Sequence, residues 1–177
     1  MDTKGLVIVN TGNGKGKTTA ALGLAIRAWG ENMRVLIIQF IKGGWRYGEL
    51  NTLQALPGER IKIIQMGEGF THKDTGVEQK EHIKAARTAW QKALEEETSG
   101  EWDMLILDEI NYAVKFNLLT EEDVLQLISK KPAKLHLVLT GRDARDSIIA
   151  EADLVTEMKE IKHPYAKGIK AQKGIEF

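Results

Sequence analysis

The stretch Thr11-Gly12-Asn13-Gly14-Lys15-Gly16-Lys17-Thr18-Thr19 decides the fold of this 177-residue chain. It follows an apolar run at 6–9 and precedes small and apolar residues at 19–26, which predict a helix. A glycine-rich turn between a strand and a helix is the setting of a phosphate-binding loop. Freed backbone N–H groups and the positive end of the helix can surround phosphate oxygens there. Lys17 would reach the outer phosphates, and the Thr18 hydroxyl would contact Mg²⁺.

The usual form of this loop, G-x-x-x-x-G-K-[ST], begins with glycine, whereas this chain has Thr11 at that position. A glycine-rich turn that binds nothing is the alternative interpretation. The Gly-Lys-Thr-Thr run between an apolar strand and a helix disfavours that alternative.

Short apolar runs alternate with segments of helical period along the rest of the chain, which predicts a parallel α/β sheet. Strands are predicted over 5–10, 34–40, 61–66, 104–107, 135–139 and 154–161. Helices are predicted over 17–29, 49–55, 77–97 and 144–150, with another beginning at the Thr120 cap. Gly30 is expected to end the first helix in a left-handed conformation. We expect one domain over residues 1–177 with a doubly wound P-loop fold of about six mostly parallel strands.

Composition excludes several classes of function. Lys plus Arg and Asp plus Glu balance at 25 each, so a nucleic-acid partner is not favoured. The absence of cysteine excludes disulfides, thiolate metal sites and a cysteine nucleophile. No apolar run approaches the roughly 18 residues of a membrane span, and the first residues do not resemble a signal peptide. We therefore expect a cytoplasmic protein with no membrane partner.

Two further motifs lie at the C-terminal ends of predicted strands. The apolar run 105–107 ends at Asp108-Glu109, and a carboxylate there can hold Mg²⁺ beside the loop threonine. Thr140-Gly141-Arg142 follows another strand, and Arg142 would bind a phosphate bidentately. The alternatives are two acids at an exposed strand end and an arginine solvated in a tight turn.

The four histidines show no metal-ligand spacing, and nothing marks an activated nucleophile. His136 is interpreted as structural and His82 as solvated, whereas His72 and His163 are left open. The glycine-rich loops also contain large aromatic residues, Trp45, Tyr47 and Phe70. These either fold back onto the core or line a surface for a flat apolar ligand.

Together these motifs resemble the ATP:corrinoid adenosyltransferases of the cobalamin pathway. The matching pieces lie along nearly the whole chain, at 11–21, 39–43, 69–71, 107–109, 140–142 and the tail 168–177. Thr11 in place of the first glycine is similar to that family's own form of the loop. The resemblance implies a RecA-like sheet with strand order 3-2-4-1-5-6, a homodimer and a flavoprotein reductant.

The activity that the resemblance implies is transfer of the 5′-deoxyadenosyl group of ATP to the Co(I) of a reduced corrinoid, with release of triphosphate. The corrinoid is cob(I)alamin or a precursor, in adenosylcobalamin synthesis or salvage. Co(I) is itself the nucleophile, which agrees with the missing protein nucleophile. Negative charge grows on the triphosphate, where the loop amides, Lys17 and Mg²⁺ (Mn²⁺ as the alternative) would stabilise it. ATP would lie in the loop in a reversed sense, with C5′ towards the corrin.

The resemblance also implies roles for individual residues. Thr18 and Glu109 correspond to Mg²⁺ ligands, with Asp108 as the close alternative. Asn13 and Arg27 match nucleotide-binding positions, although Arg27 is equally well read as a solvated helix residue.

Lys17, Thr18 and Phe70 are the residues assigned to catalysis. Phe70 matches an aromatic that presses under the corrin and excludes its lower axial ligand, while Trp45 and His72 complete the corrinoid set. His72 departs from the family, which often has tryptophan there. An ATPase or kinase of the same fold and a non-enzymatic nucleotide or corrinoid carrier are the competing interpretations.

Overall fold

The computed structural model describes residues 4–44, 47–69 and 76–176, except for the side chains of 76–78. Its strands are β1 (Val7–Thr11), β2 (Val35–Gln39), β3 (Ile61–Gln65), β4 (Met104–Asp108), β5 (His136–Thr140) and β6 (Leu154–Glu157). Its helices are α1 (Lys17–Gly30), α2 (Gly48–Ala55), α3 (Gly76–Thr98), α4 (Ile110–Lys115), α5 (Glu121–Lys130) and α6 (Asp146–Glu151), followed by a 3₁₀ turn at Pro164–Lys167.

The six strands form one sheet in the order β3-β2-β4-β5-β1-β6, and every neighbouring pair is parallel. The expected doubly wound α/β fold is therefore confirmed. The expected order 3-2-4-1-5-6 was wrong, because β5 lies between β4 and β1. β1 pairs with β5 on one side and β6 on the other. Both β1 and β5 are buried apolar strands, so their local patterns do not reveal which of them adjoins β4.

Helices cover both faces of the sheet and produce two hydrophobic clusters. Leu105 and Leu107 belong to the cluster that includes α3, α4 and α5. Ile106 points to the opposite face and packs with Ala21 and Ala25 of α1. Successive strand residues point to opposite faces, so a strand covered on both sides is continuously apolar.

The ends of the helices and strands mostly follow their sequence signals, with one correction for a helix and one for a strand. Thr120 caps α5 through a reciprocal pair of hydrogen bonds with Asp123, as expected. Gly30 instead lies within α1, and Asn32 takes the left-handed conformation, with φ of 65°. An asparagine adopts this conformation at low cost because its short side chain is tolerated there. β6 also ends at Glu157 rather than at residue 161.

None of the helices within the described ranges combines the length and apolar character needed to cross a membrane.

Candidate active site

The glycine loop packs tightly against the chain that leaves β6. The Gly14 N–H donates a hydrogen bond to the Met158 carbonyl at 2.6 Å. A Cβ on Gly12 or Gly14 would lie 2.5 or 2.7 Å from that same carbonyl oxygen, closer than van der Waals contact allows. Gly12 also has φ of 92°, a conformation that favours glycine. The glycines therefore allow both the curvature of the loop and its contact with the segment after β6.

Lys17 begins α1 and folds its side chain back into this loop. Its Nζ donates hydrogen bonds to the Gly12 and Gly14 carbonyls, both at 2.7 Å, and the residue is buried. Burial lowers the pKa of Lys17 below its usual range, while the nearby Glu109 carboxylate partly opposes that effect. The ammonium group is thus held inside the loop by its backbone.

Asp108, at the end of β4, is the polar centre of the site and is 1% exposed. Its Oδ1 accepts hydrogen bonds from the Thr18 and Thr140 hydroxyls, both at 2.8 Å. Its Oδ2 accepts a hydrogen bond from Gln39 Nε2 at 3.0 Å, and Lys42 Nζ lies 3.6 Å away. One carboxylate therefore connects α1, β2, β4 and β5, and the placement of β5 beside β4 makes the Thr140 contact.

Glu109 has a different environment from Asp108. Its backbone takes φ of 64°, and its N–H donates to the Thr140 hydroxyl at 2.9 Å. Burial and the adjacent Asp108 charge raise the pKa of Glu109 to about 7, against the opposing effect of Lys17 and other nearby cations. The Thr18 hydroxyl bonds to Asp108, whereas Glu109 lines the cavity.

A cavity of about 510 Å³ lies above the loop. The expected site residues that line it are Asn13, Gly14, Lys15, Gly16, Lys17, Thr18, Thr19, Glu109 and Arg142. Asp108 is buried behind Thr18, and Arg27 is exposed in the last turn of α1, away from the cavity lining. Trp45, Phe70 and His72 lie outside the described residues. The structure thus gathers the loop, the β4 end and the β5 end around one space.

Several residues without an assigned role also line the cavity, namely Lys42, Glu49, His163, Gly174, Ile175 and Glu176. Lys42 Nζ lies 3.4 Å from Glu49 Oε1 and 4.5 Å from the centre of the Tyr47 ring. Lys15 Nζ lies 2.5 Å from Glu176 Oε2, which joins the tail to the glycine loop. In the sequence, the segments 39–43 and 168–177 matched the adenosyltransferase family, but their residues suggested no chemical role. Lys42 of the first segment and residues 174–176 of the second line the cavity, which supplies a reason for both parts of the resemblance.

The oxygen donors at the site fit a magnesium ion. Among the described residues, no group of three or more His, Cys, Asp or Glu side chains is placed to hold a metal by itself. The Thr18 hydroxyl and the Asp108 and Glu109 carboxylates are nevertheless hard oxygen donors. Mg²⁺ commonly takes one or two carboxylates and completes its shell with phosphate oxygens and water.

The sheet is parallel, a glycine loop joins β1 to α1, and the aspartate at the end of β4 is hydrogen-bonded to the loop threonine. These features define a P-loop nucleotide-binding protein with a RecA-like fold. The crystal structure of the flagellar accessory protein FlaH from Methanocaldococcus jannaschii has the same fold. The match has a TM-score of 0.57 and 14% sequence identity, and it covers 88% of this chain and 71% of that one.

The chain belongs to the family of ATP:corrinoid adenosyltransferases BtuR/CobO/CobP, whose family model matches residues 3–177. It is 42% identical to a corrinoid adenosyltransferase from Sinorhizobium sp, over 99% of this chain and 82% of the relative. It is 40% identical to a corrinoid adenosyltransferase from Escherichia coli K12, over 100% of this chain and 88% of the relative. The resemblance seen in the motifs is confirmed, and the enzyme class is a transferase.

Proposed function

We propose that this chain transfers the 5′-deoxyadenosyl group of ATP to the Co(I) of cob(I)alamin or a corrinoid precursor and releases triphosphate. The observation that carries this proposal is the composition of the cavity. The phosphate loop forms one part of its lining and the tail residues 174–176 form another. Both segments fall within the residues that match the adenosyltransferase family.

The chemistry requires a stabilised leaving group rather than a protein base. A Co(I) electron pair attacks C5′, the C5′–O bond breaks, and its electrons leave with the triphosphate while cobalt becomes Co(III). Lys15, Lys17, Lys42 and Arg142 all line the cavity, so four cationic side chains can face a polyanion. Such charges stabilise the transition state because the negative charge on the triphosphate grows during the reaction.

Magnesium (or manganese) is proposed as the metal that accompanies ATP. When bound, it supplies Lewis-acid stabilisation of the triphosphate charge. Thr18 and Glu109 would hold it. Asp108 Oδ1 accepts a hydrogen bond from the Thr18 hydroxyl at 2.8 Å, which leaves lone pairs of the hydroxyl oxygen for the metal.

The corrinoid is proposed to bind at the β3–β2 edge of the sheet. The predicted contacts support this edge, because Trp45 follows β2 in the sequence and Phe70 and His72 follow β3. The described loops on either side support this placement. The Gly69 N–H donates to the Ile41 carbonyl at 2.8 Å, and a Cβ on Gly67 would lie 2.2 Å from the Ile41 backbone. The loops that follow β2 and β3 are therefore joined close to the cavity.

Four further assignments complete the proposal. Asn13 contacts the nucleotide, the enzyme is a cytoplasmic homodimer, a flavoprotein supplies the electron that forms Co(I), and the pathway is adenosylcobalamin synthesis or salvage. The support for these assignments is membership of the family. For Asn13, its position in the cavity lining adds to that support.

The test is anaerobic incubation of the protein with ATP, Mg²⁺ and chemically reduced cobalamin, compared with Lys17→Ala. We expect the wild type to form triphosphate together with the spectral change of a cobalt–carbon bond. Lys17→Ala should lose at least about a hundredfold in kcat, because a charge aimed at the leaving group is removed. Lys80→Ala is the matched control, since Lys80 is exposed on α3 and does not line the cavity.

Two results would contradict the proposal. Formation of ADP and phosphate would indicate an ATPase, and binding of ATP and reduced corrinoid without turnover would indicate a carrier. Unchanged turnover in Lys17→Ala would refute the role given to the loop lysine.

A further inference from the structure

His163 lies on the cavity wall, in the segment that follows β6. Its sequence context assigns it no role, and the proposed chemistry above does not use it. The residue is half-buried and precedes the 3₁₀ turn Pro164–Lys167. A histidine held in the wall of a polyanion site is a candidate hydrogen-bond donor.

The hydrogen bonding of the ring determines which nitrogen can donate. The Tyr165 backbone N–H donates to His163 Nδ1 at 3.2 Å, so Nδ1 is the acceptor. The imidazole proton then resides on Nε2, because a neutral histidine carries one proton and the hydrogen bond at one nitrogen sets the tautomer. The Ala166 N–H also donates to the His163 carbonyl at 3.2 Å, which anchors the backbone of the turn. His163 therefore offers Nε2–H as a donor.

The position of β6 indicates which part of the nucleotide His163 faces. β6 is one edge strand of the sheet, and β3 is the other. Two contacts join the segment after β6 to the glycine loop. They are the Gly14–Met158 backbone hydrogen bond and the Lys15–Glu176 ion pair. The loops proposed to meet the corrin follow β2 and β3. His163 thus follows the edge strand opposite the one whose loops are proposed to meet the corrin.

We propose that His163 is a further nucleotide-binding residue, whose Nε2–H donates a hydrogen bond to an oxygen of the ATP triphosphate. This inference rests on the proposed function, because it places the triphosphate in the loop with C5′ directed towards the β3–β2 edge. The contact would stabilise both bound ATP and the departing triphosphate. A hydrogen bond to a charged acceptor is stronger than one between neutral groups.

Two substitutions separate this role from a structural one. An asparagine side chain can reproduce the Nδ1 acceptor, so His163→Asn keeps the contact with the Tyr165 N–H and loses the Nε2 donor. A glutamine amide can reproduce the Nε2 donor, so His163→Gln keeps that donor and loses the contact with Tyr165. His82→Asn is the matched control, since His82 lies on α3 and does not line the cavity.

The experiment measures the Kd of each full-length protein for ATP and for inorganic triphosphate, both with Mg²⁺, by calorimetry. We expect His163→Asn to raise both Kd values about tenfold, because a donor to a charged group is lost. His163→Gln should stay within about threefold of the wild type, and His82→Asn should match it. Thermal melting of His163→Asn should equal that of the wild type, which shows that the variant remains folded.

Three results would overturn the inference. Weakened binding in His163→Gln with normal binding in His163→Asn would assign the histidine to the turn alone. A loss for ATP but not for triphosphate would place the contact on the nucleoside. Equal binding by the wild type and His163→Asn would remove His163 from the site. A wild type that binds neither probe would instead refute the proposed function itself, which is a distinct result.

Discussion

Glu109 and Glu97 are two carboxyl groups whose pKa burial raises to about 7, yet their surroundings differ. Glu109 follows β4, lines the cavity and lies near Lys17, Lys42 and Arg142, whose charges oppose the rise. Glu97 lies near the end of α3 and is 3% exposed, and its Oε1 has no hydrogen-bond partner among the described residues. A raised pKa therefore does not mark a functional site by itself. Convergent charged groups around a cavity distinguish Glu109.

Asp108 is as buried as Glu97, but its carboxylate accepts hydrogen bonds from three donors. Each of those donors comes from a different element of the fold. The chain thus contains one buried carboxylate that is fully paired, one that faces the cavity and one that is packed in the protein with an unpaired oxygen.

We expect the largest change in kcat from substitution of Asp108, the fully paired carboxylate, and almost none from substitution of Glu97, the packed one. Asp108→Asn should lower kcat at least about a hundredfold, equivalent to about 3 kcal/mol, because the Thr18 hydroxyl loses its anionic acceptor. Glu97→Gln should stay within about twofold of the wild type, since it lies outside the cavity. Anaerobic adenosyl-transfer assays on both variants measure this. An active Asp108→Asn enzyme, or an inactive but folded Glu97→Gln enzyme, would contradict this prediction.

The second prediction concerns Glu97 and the pH dependence of the free energy of unfolding. A paired acid stabilises a protein as pH rises, whereas Glu97 should destabilise it. The folded-state pKa of Glu97 is raised, so the folded protein binds more protons than the unfolded chain between about pH 4.5 and pH 7. Wild-type stability is therefore lost as pH rises through that range. Glu97→Gln cannot ionise and should be more stable than the wild type by about 2 kcal/mol at pH 8, with little difference at pH 4.

Urea denaturation of Glu97→Gln and Glu109→Gln at both pH values tests this prediction. Both variants should gain stability at pH 8, but only Glu109→Gln should also lose activity. A Glu97→Gln variant that is less stable than the wild type at pH 8 would show that Glu97 has a favourable partner when ionised.

The smallest expected effect concerns the Lys15–Glu176 ion pair between the loop and the tail. Glu176→Gln should strengthen ATP binding by up to about threefold at low salt and less at high salt, because it removes a carboxylate from the lining of a polyanion site and frees Lys15. The effect is small because a partly exposed pair contributes under about 1 kcal/mol. The Kd for ATP at two salt concentrations measures this. The control is Glu81→Gln, an exposed acid on α3 outside that pair. A change in Kd that does not respond to salt would show that Glu176 acts otherwise than through its charge.

Much of the candidate site could be predicted because its signals are local. Residues 11–19 form a contiguous stretch, and so do Asp108-Glu109 and Thr140-Gly141-Arg142. Strand ends of a parallel sheet meet at one edge, so these groups were expected to converge. The partner of Thr18 could not be predicted in this way, because Asp108 and Glu109 are adjacent and the sequence offers both carboxylates to the loop. The structure gives the Thr18 hydroxyl a hydrogen bond to Asp108 and places Glu109 in a left-handed backbone conformation.

The P-loop class and the resemblance to the adenosyltransferases can be read from the sequence, because the glycine loop, the acidic strand end and the tail motif each consist of neighbouring residues. The packing of the folded chain is what reveals that β5 separates β4 from β1, that Thr140 bonds to Asp108, that Glu176 returns to the loop and that His163 lines the cavity. These contacts join residues far apart in the chain. Uniformly apolar strands and an aperiodic tail carry no local signal of where they pack.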